Sequence, residues 1–205
     1  MALMIKKVGV IGSGQMGNGI AHVAALAGLD VVLYDVSADR LKSAMATING
    51  NLTRQVAKKT ITEDAHKHAL AKITSSDSLD GLAACDLVIE TAVEKEEVKR
   101  KIFHDLCAVL KPEAIIASNT SSISITRLAA STDRPEKFIG IHFMNPVPVM
   151  ELAELIRGIA TDDATFDAAR AFVTAMGKQI AVSEDFPAFI VNRILLPMIN
   201  EAIYT

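Results

Sequence analysis

The chain has 205 residues, half of them hydrophobic, and its formal net charge at pH 7 is -3. A chain of this length can bury a sizeable core as one α/β domain of moderate size or as a domain with an appendage. Acidic and basic residues are mixed along the sequence, without the basic stripe that neutralises nucleic-acid phosphates, so we expect no nucleic-acid partner.

Composition also bounds the compartment. The two cysteines, Cys85 and Cys107, have neither the spacing of a redox CxxC pair nor that of a zinc cluster, which favours a reducing compartment. The apolar runs are interrupted within about ten residues, well short of the roughly 20 that cross a bilayer. The chain begins almost directly with a strand pattern, IKKVGVIGSG, which leaves no room for a signal or transit peptide. We therefore expect a cytoplasmic protein without a membrane span.

Apolar runs of strand length alternate with helical patterns along the chain, which is typical of βαβ units and predicts an α/β fold with a mostly parallel sheet. The first six strands are expected at Ile5 to Ile11, Asp30 to Tyr34, Lys72 to Ser75, Leu87 to Glu90, Ala114 to Ser118 and Phe138 to His142. Beyond Pro148 we expect an apolar segment from Glu151 to Ile156, a helix from about Asp163 to Met176, a short run QIAVSED, and a final helix from Ala188.

One gap between strands, from Ser37 to Ala71, is too long for a single crossover helix. It divides at KKTITEDAHK, where Thr62 can cap a helix that begins at Glu63, so the sequence predicts a helical hairpin. Such an insertion could extend beyond the sheet and cover a large ligand, or it could be purely structural.

A glycine-rich turn follows the first strand and opens the first helix. Gly12-Ser13-Gly14-Gln15-Met16-Gly17 has the spacing G-x-G-x-x-G, in which the glycines allow a tight turn, a close approach of the backbone to a pyrophosphate, and close packing of helix on strand. The phosphates would lie at a helix N-terminus, where free N–H groups favour anions. Together with Asp35 at the end of the second strand, this pattern predicts a Rossmann-type dinucleotide site.

Asp35 bears on the choice of cofactor. Its carboxylate can accept hydrogen bonds from a ribose diol and would repel a 2′-phosphate, so the sequence favours NAD over NADP, although Arg40 lies close in sequence. S-adenosylmethionine, or a glycine turn without any ligand, is the alternative at this position.

Polar residues cluster where the fourth, fifth and sixth strands end, which is where open parallel sheets bind ligands. After the fourth strand, Glu94 and Lys99 could belong to a site or to a solvated helix start. After the fifth strand, the run Asn119 to Ser122 exceeds what one helix cap requires. At the end of the sixth strand, His142 is either an oriented structural histidine or a proton carrier, with Glu151 or Glu154 available to fix its tautomer.

The remaining histidines predict no metal site. His66 and His68 are two residues apart and so do not face each other on a helix, and His22 and His104 have no partner at a useful spacing.

Four motifs in register carry a family resemblance. IGSGQMG, SNTSSISI, IGIHFMNPVPVMELAELI and FPAFIVNRILLPMINEA closely resemble the NAD-dependent 3-hydroxyacyl-CoA dehydrogenases, particularly the bacterial 3-hydroxybutyryl-CoA dehydrogenases. The resemblance implies a reversible oxidation of a 3-hydroxyacyl-CoA to the 3-ketoacyl-CoA, with hydride passing to NAD.

The resemblance also implies residue roles. His142 matches the catalytic histidine and Glu154 the carboxylate that supports it. Ser121 and Asn192 match polar residues near the reacting end of the substrate. The positions that match cofactor contacts are Gly12, Ser13, Gly14, Gln15, Met16, Gly17 and Asp35 on the pyrophosphate and adenosine-ribose side, and Glu94, Lys99 and Asn145 on the nicotinamide side.

The hairpin at residues 37–71 resembles the family's CoA-binding arm, with Lys58 and Lys59 available for phosphates. The family arm often has a serine about two turns before the lysine pair, whereas this chain reads Asn51-Leu52-Thr53, which leaves individual CoA contacts open. We expect residues 1–187 to form the NAD-binding domain and residues 188–205 to form the first helix of a C-terminal helical domain that dimerises in the family.

Three hypotheses follow for the function. The first is an active 3-hydroxyacyl-CoA dehydrogenase that acts as a homodimer if the C-terminal domain is present or exchanged. The second is an NAD-binding module without turnover. A dehydrogenase of free 3-hydroxyacids is the third, disfavoured by the His-Asn-Pro and Ser-Asn-Thr-Ser-Ser stretches.

Overall fold

The computed structural model describes residues 4–205. Eight strands form one sheet: β1 Lys7–Ile11, β2 Asp30–Tyr34, β3 Ile73–Ser76, β4 Leu87–Glu90, β5 Ile115–Ser118, β6 Phe138–Phe143, β7 Leu152–Arg157 and β8 Gln179–Glu184. The described residues also form seven α-helices, the last of which follows β8: α1 Gln15–Leu26, α2 Ala38–Ala57, α3 Glu63–Ala71, α4 Glu96–Cys107, α5 Ile125–Ala129, α6 Asp163–Ala175 and α7 Val191–Tyr204. The α/β fold class and the mostly parallel sheet are confirmed.

The strand order β3-β2-β1-β4-β5-β6-β7-β8 sets the position of the site. All neighbours pair in parallel except β6 and β7, which are antiparallel. The chain builds outward from β1 through β2 to β3 and then returns to the other side of β1 with β4. The crevice at this reversal, outside the carboxyl ends of β1 and β4, is where such sheets bind ligands.

The inner strands are apolar on both faces because helices cover both, whereas the edge strands β3 and β8 are partly exposed. On β2, Val31 and Leu33 join the core beneath α1, α2, α3 and α6, whereas Val32 points to the second core beneath α4 and α5. The same alternation on the neighbouring strands explains why they appear as continuous hydrophobic runs in the sequence.

The helical hairpin is confirmed, including its division. Thr62 precedes α3 and its hydroxyl accepts a hydrogen bond from the Ala65 N–H at 3.1 Å. Leu41, Ile48 and Leu52 of α2 are buried in the core that α1 also covers, so the hairpin packs alongside α1.

The last helix begins later than the sequence predicts. Ala188 and Phe189 have positive φ angles of 70° and 52°, which a helix cannot contain, and α7 therefore starts at Val191 rather than Ala188. None of the helices within residues 4–205 is long and apolar enough to cross a membrane.

Candidate active site

The glycine turn between β1 and α1 has the geometry that a dinucleotide requires. Gly12 has φ +91°, and a Cβ on Gly17 would lie 1.7 Å from the Gly12 carbonyl oxygen, so neither position tolerates a larger residue without a shift. A Cβ on Gly14 would meet no atom within 4 Å, which leaves an open cradle at the N-terminus of α1. No side chain among the described residues caps this helix, so its first N–H groups are available to an anion.

Asp35 faces the same turn. Its Oδ2 accepts hydrogen bonds from the backbone N–H and the hydroxyl of Ser13, both at 2.9 Å, and its Oδ1 accepts from the Ser37 N–H at 3.1 Å. Burial alone raises the pKa of Asp35, but the Ser13 and Ser37 donors and the charge of Arg40 outweigh burial and hold the pKa below its ordinary value. The carboxylate is thus ionised and anchored at the end of β2.

Two neighbouring cavities meet at this edge of the sheet. The first, of about 580 Å³, is bordered by Ser13, Gly14 and Gln15 of the turn, by Arg40 and other residues of α2, and by Asn145. A second cavity, of about 620 Å³, is bordered by Met16, Glu94, Lys99, Asn119, Ser121, His142, Asn145 and Asn192. Asn145 borders both, so a ligand that extends from the turn toward His142 would pass it.

His142 and Glu154 form a buried pair across β6 and β7. They are direct partners in the antiparallel register, and His142 Nδ1 lies 2.6 Å from Glu154 Oε2. Because an ionised carboxylate only accepts hydrogen bonds, Nδ1 carries the proton, and Nε2 is left as the acceptor of the neutral ring. Nε2 has no partner within residues 4–205, and the ring borders the second cavity. Of the two carboxylates that the sequence offered, Glu154 and not Glu151 holds the histidine.

The other oxygen of Glu154 binds the start of α7. Oε1 accepts hydrogen bonds from the N–H groups of Ile190 and Val191 at 2.9 and 2.8 Å. Burial by itself raises the pKa of Glu154, but the hydrogen bonds from His142, Val191 and Ile190 outweigh it and lower the pKa. Glu154 therefore stays ionised although its side chain is fully buried.

The segment that delivers these N–H groups is held at its other end by Asp185. Its carboxylate accepts hydrogen bonds from the Ser124 hydroxyl and from the N–H groups of Ile125 and Thr126 at 2.6 to 2.9 Å. Between the two anchors, Phe189 is buried with its ring centroid 6.1 Å from that of His142.

Glu94 lies at the centre of a hydrogen-bonded cluster after β4. Its Oε1 accepts from the Thr120 hydroxyl and from the Ser121 N–H at 3.0 Å, and its Oε2 lies 3.2 Å from Lys99 Nζ. Burial raises the pKa of Glu94, and the Thr120, Lys99 and Ser121 donors together lower it below the ordinary value. Thr120 and Ser121 of the polar run after β5 thus bind a carboxylate, and the N-cap of α5 is Ser124, outside that run.

Lys99 is buried rather than presented to solvent. Its ammonium lies 2.7 and 3.0 Å from the two oxygens of Glu90. Glu90 also accepts from the Ser118 hydroxyl at 2.7 Å and the Ala92 N–H at 2.6 Å. Burial raises the pKa of Glu90 despite these donors. Lys99 also borders the second cavity, where its ammonium contacts Glu94.

Asn192 is positioned by the loop that follows β5. Its side-chain amide donates to the carbonyl of Ser121 at 3.2 Å, which brings the first turn of α7 to the second cavity beside Ser121. Lys59 is the predicted site residue that lies apart. It occupies the turn between α2 and α3 with φ 58°, is exposed, and borders neither cavity.

Sequence reasoning missed Glu90 and Asp185. Glu90 is the last residue of the apolar strand β4, and an acidic residue at the end of such a strand was the available signal that it pairs with a buried base, Lys99. Asp185 lies in a short segment without regular structure and left no such signal.

These features define a class of protein: a Rossmann-type dinucleotide-binding protein with a histidine–carboxylate pair beside the cofactor crevice. Residues 7–186 match the model of the family "3-hydroxyacyl-CoA dehydrogenase, NAD binding domain". The chain belongs to this family, and it is an NAD-dependent oxidoreductase.

The sequence of this chain matches known proteins over nearly its whole length. It is 82% identical over 205 residues to the 3-hydroxybutyryl-CoA dehydrogenase of Bradyrhizobium diazoefficiens, covering 100% of this chain and 70% of that protein. It is 41% identical over 202 residues to the 3-hydroxyadipyl-CoA dehydrogenase of Escherichia coli, covering 98% of this chain and 42% of that protein. The crystal structure of (S)-3-hydroxybutyryl-CoA dehydrogenase from Ralstonia eutropha superposes with a TM-score of 0.95 at 49% identity, covering 97% of this chain and 70% of that chain.

Proposed function

We propose that the protein transfers a hydride between C3 of a 3-hydroxyacyl-CoA, such as 3-hydroxybutyryl-CoA, and NAD, in fatty-acid metabolism. The observation that carries the proposal is the His142–Glu154 pair at 2.6 Å, bordering a cavity that adjoins the glycine turn. When bound, the nicotinamide accepts the hydride in the oxidative direction and donates it in the reductive one.

His142 is the general base for the hydroxyl in the oxidative direction. As hydride leaves C3, the C3 hydroxyl becomes far more acidic, and its proton passes to Nε2 of His142 while the C3–O bond becomes a carbonyl. Glu154 stabilises the imidazolium that results, because its oxygen already accepts the Nδ1 proton. In reduction the same proton returns to the oxygen at C3.

The remaining side chains bind and orient. Ser121 and Asn192 lie beside the reacting end of the substrate, and the Asn192 amide donates to the backbone carbonyl of Ser121. Glu94 and Asn145 line the nicotinamide side, and the ammonium of Lys99 fixes Glu94 through their ion pair. On the other side of the crevice, the turn Gly12 to Gly17 cradles the pyrophosphate and Asp35 binds the adenosine ribose.

The hairpin of α2 and α3 is assigned to the CoA moiety. Lys58 and Lys59 at its exposed turn would contact phosphates. Neither lysine borders the two cavities, which agrees with a long ligand whose acyl end alone reaches His142.

Domain organisation and assembly are part of the proposal. Residues 1–187 form the NAD-binding domain, and 188–205 begin a helical domain. Ile194, Leu196, Ile203 and Tyr204 on α7 are 59 to 83% exposed, an apolar surface that supports homodimerisation through this helix. Free Cys85 and Cys107 support a reducing compartment, and we propose the cytoplasm, testable by cell fractionation.

The test is oxidation of NADH by the purified chain with acetoacetyl-CoA, with His142→Gln as the comparison. Loss of the base should lower turnover by about 10²–10⁴ while NADH still binds. Equal turnover in the variant would contradict the role of His142. A folded wild-type chain that binds NADH without turnover would support the second candidate, an NAD-binding module, which the exposed surface of α7 beside the cleft favours.

A further inference from the structure

The loop at residues 144–151 joins the two halves of the acid–base pair. His142 is the next-to-last residue of β6, and Glu154 is the third residue of β7. The same loop carries Asn145, which borders both cavities. The position of this loop therefore affects the cofactor and the acid–base pair together.

Lys178, immediately before β8, binds this loop from outside the site. Its Nζ donates to the carbonyl oxygens of Val147 at 2.6 Å and of Met150 at 2.7 Å. Burial lowers the pKa of Lys178, with the charge of Glu151 opposing. The ammonium forms no ion pair within the described part of the chain, so its short contacts are to backbone carbonyls. Hydrogen bonds from a charged donor are among the stronger ones in proteins.

The opposite side of the loop packs on α1. Val147 is 1% exposed, and a Cβ on Gly19 would lie 2.9 Å from the Val147 Cβ. Since α1 begins at the glycine turn, the loop is held between the helix of the cofactor site and the ammonium of Lys178. Removing the ammonium would free one of these two sides.

We propose that Lys178 is a positioning residue for the cofactor site: by binding the carbonyls of Val147 and Met150 it fixes the loop that presents Asn145 to NAD. The inference rests on the proposed function for the identity of the cofactor. It adds to the site a residue that touches neither cofactor nor substrate.

The test compares Lys178→Met with the wild-type chain. Methionine keeps most of the apolar stem and removes the ammonium. We expect the dissociation constant for NADH, measured by fluorescence titration, to rise about tenfold. Without cofactor, hydrogen exchange at the amides of Val149 and Met150, which donate to the Pro146 carbonyl at 3.0 and 2.9 Å, should accelerate by at least about tenfold.

A matched control is Lys137→Met. Lys137 Nζ also donates to a backbone carbonyl, that of Pro112 at 3.0 Å, and like Lys178 it is half-buried, but its acceptor lies outside the loop at residues 144–151. This variant should leave NADH affinity unchanged.

Two results would overturn the proposal, and they are distinguishable from failure of the proposed function. If Lys178→Met lowers the melting temperature but binds NADH as the wild-type chain does, Lys178 is only structural. Unchanged exchange at Val149 and Met150 would show that the loop does not depend on the ammonium. A wild-type chain that binds no NADH would instead contradict the function, and the positioning role would fall with it.

Discussion

Glu154 satisfies two different sets of donors, and this fixes the tautomer of His142. Oε1 accepts from two backbone N–H groups, whereas Oε2 accepts from the ring. In Glu154→Gln, the carbonyl oxygen must remain with the two N–H groups, so the new amide NH₂ would face His142 Nδ1. The ring would then be protonated at Nε2, the atom that accepts the substrate proton in the proposed mechanism.

We therefore expect Glu154→Gln to reduce turnover by about 10²–10⁴ although the change is nearly isosteric. The measurement is NADH oxidation with acetoacetyl-CoA, accompanied by titration of NADH to establish that the cofactor still binds. Turnover within a few fold of wild type would mean that the tautomer is set in another way.

The same carboxylate makes folding stability depend on pH. The pKa of Glu154 is lowered in the folded chain, so the unfolded state binds the proton more readily. The contribution of Glu154 to stability is thus present above the unfolded pKa, ordinarily about 4.3, and is lost as pH falls through the folded value. The stability difference between wild type and Glu154→Gln should be constant near pH 7 and shrink below about pH 4 in urea titrations. A difference that grows on acidification would contradict the shift.

At the scale of elements, two glycines of the turn allow folding and cofactor binding to be tested separately. A Cβ on Gly14 meets nothing within 4 Å, and the residue's φ of −62° and ψ of −168° suit any amino acid. A Cβ on Gly17 would lie 1.7 Å from the Gly12 carbonyl oxygen.

Gly14→Ala should therefore leave the melting temperature unchanged or slightly raised, yet weaken NADH binding at least about tenfold, because its methyl group occupies the pyrophosphate's approach. Gly17→Ala should lower both stability and binding, because α1 must move. Thermal denaturation and NADH titration of the two variants test the distinction. Normal NADH affinity in Gly14→Ala would show that the cradle is not used.

Regular elements were predictable from sequence where local patterns specify them. β2 and β4 have the predicted bounds, and Thr62 caps α3 as expected, because apolar runs and capping residues act locally. The start of α7 was not predictable, because the positive φ of Ala188 and Phe189 is imposed by anchors elsewhere in the fold.

The site was predictable only in part for the same reason. His142 and the glycine turn carry recognisable motifs, and the strand-end rule brings Ser121 and Asn145 to the same edge. The buried contact between Glu90 and Lys99 depends on how α4 folds back over β4, and the contacts of Lys178 depend on β8 lying beside β7. Such pairings are tertiary and have no spacing in the sequence that identifies them.

For the molecule as a whole, α7 is the part with the least burial. None of its residues is buried, and its apolar side chains include Leu196 at 59% and Ile203 at 76% exposure. Seven large apolar side chains are exposed together on this one helix, so we expect it to offer the apolar area for a second copy: Ile194, Leu195, Leu196, Met198, Ile199, Ile203 and Tyr204.

We expect the wild-type chain to associate as its concentration rises, and the double variant Leu196→Glu and Ile203→Glu to remain monomeric. Sedimentation velocity over a range of concentrations measures this directly. Neither residue borders the second cavity, so NADH binding serves as the control for folding. A wild-type chain that stays monomeric throughout would exclude dimerisation through this face.

The contact between His142 and Glu154 depends on the register of the antiparallel pair β6 and β7. Sliding β7 by one position would set Ala153 or Leu155 opposite His142 and turn Glu154 to the other face of the sheet. A single deletion among residues 144–151 that β7 absorbs in this way would preserve the glycine turn and yet separate His142 from Glu154. The length of one hairpin loop is therefore under chemical as well as structural constraint, because a one-residue change of register would break the contact on which the proposed proton transfer depends.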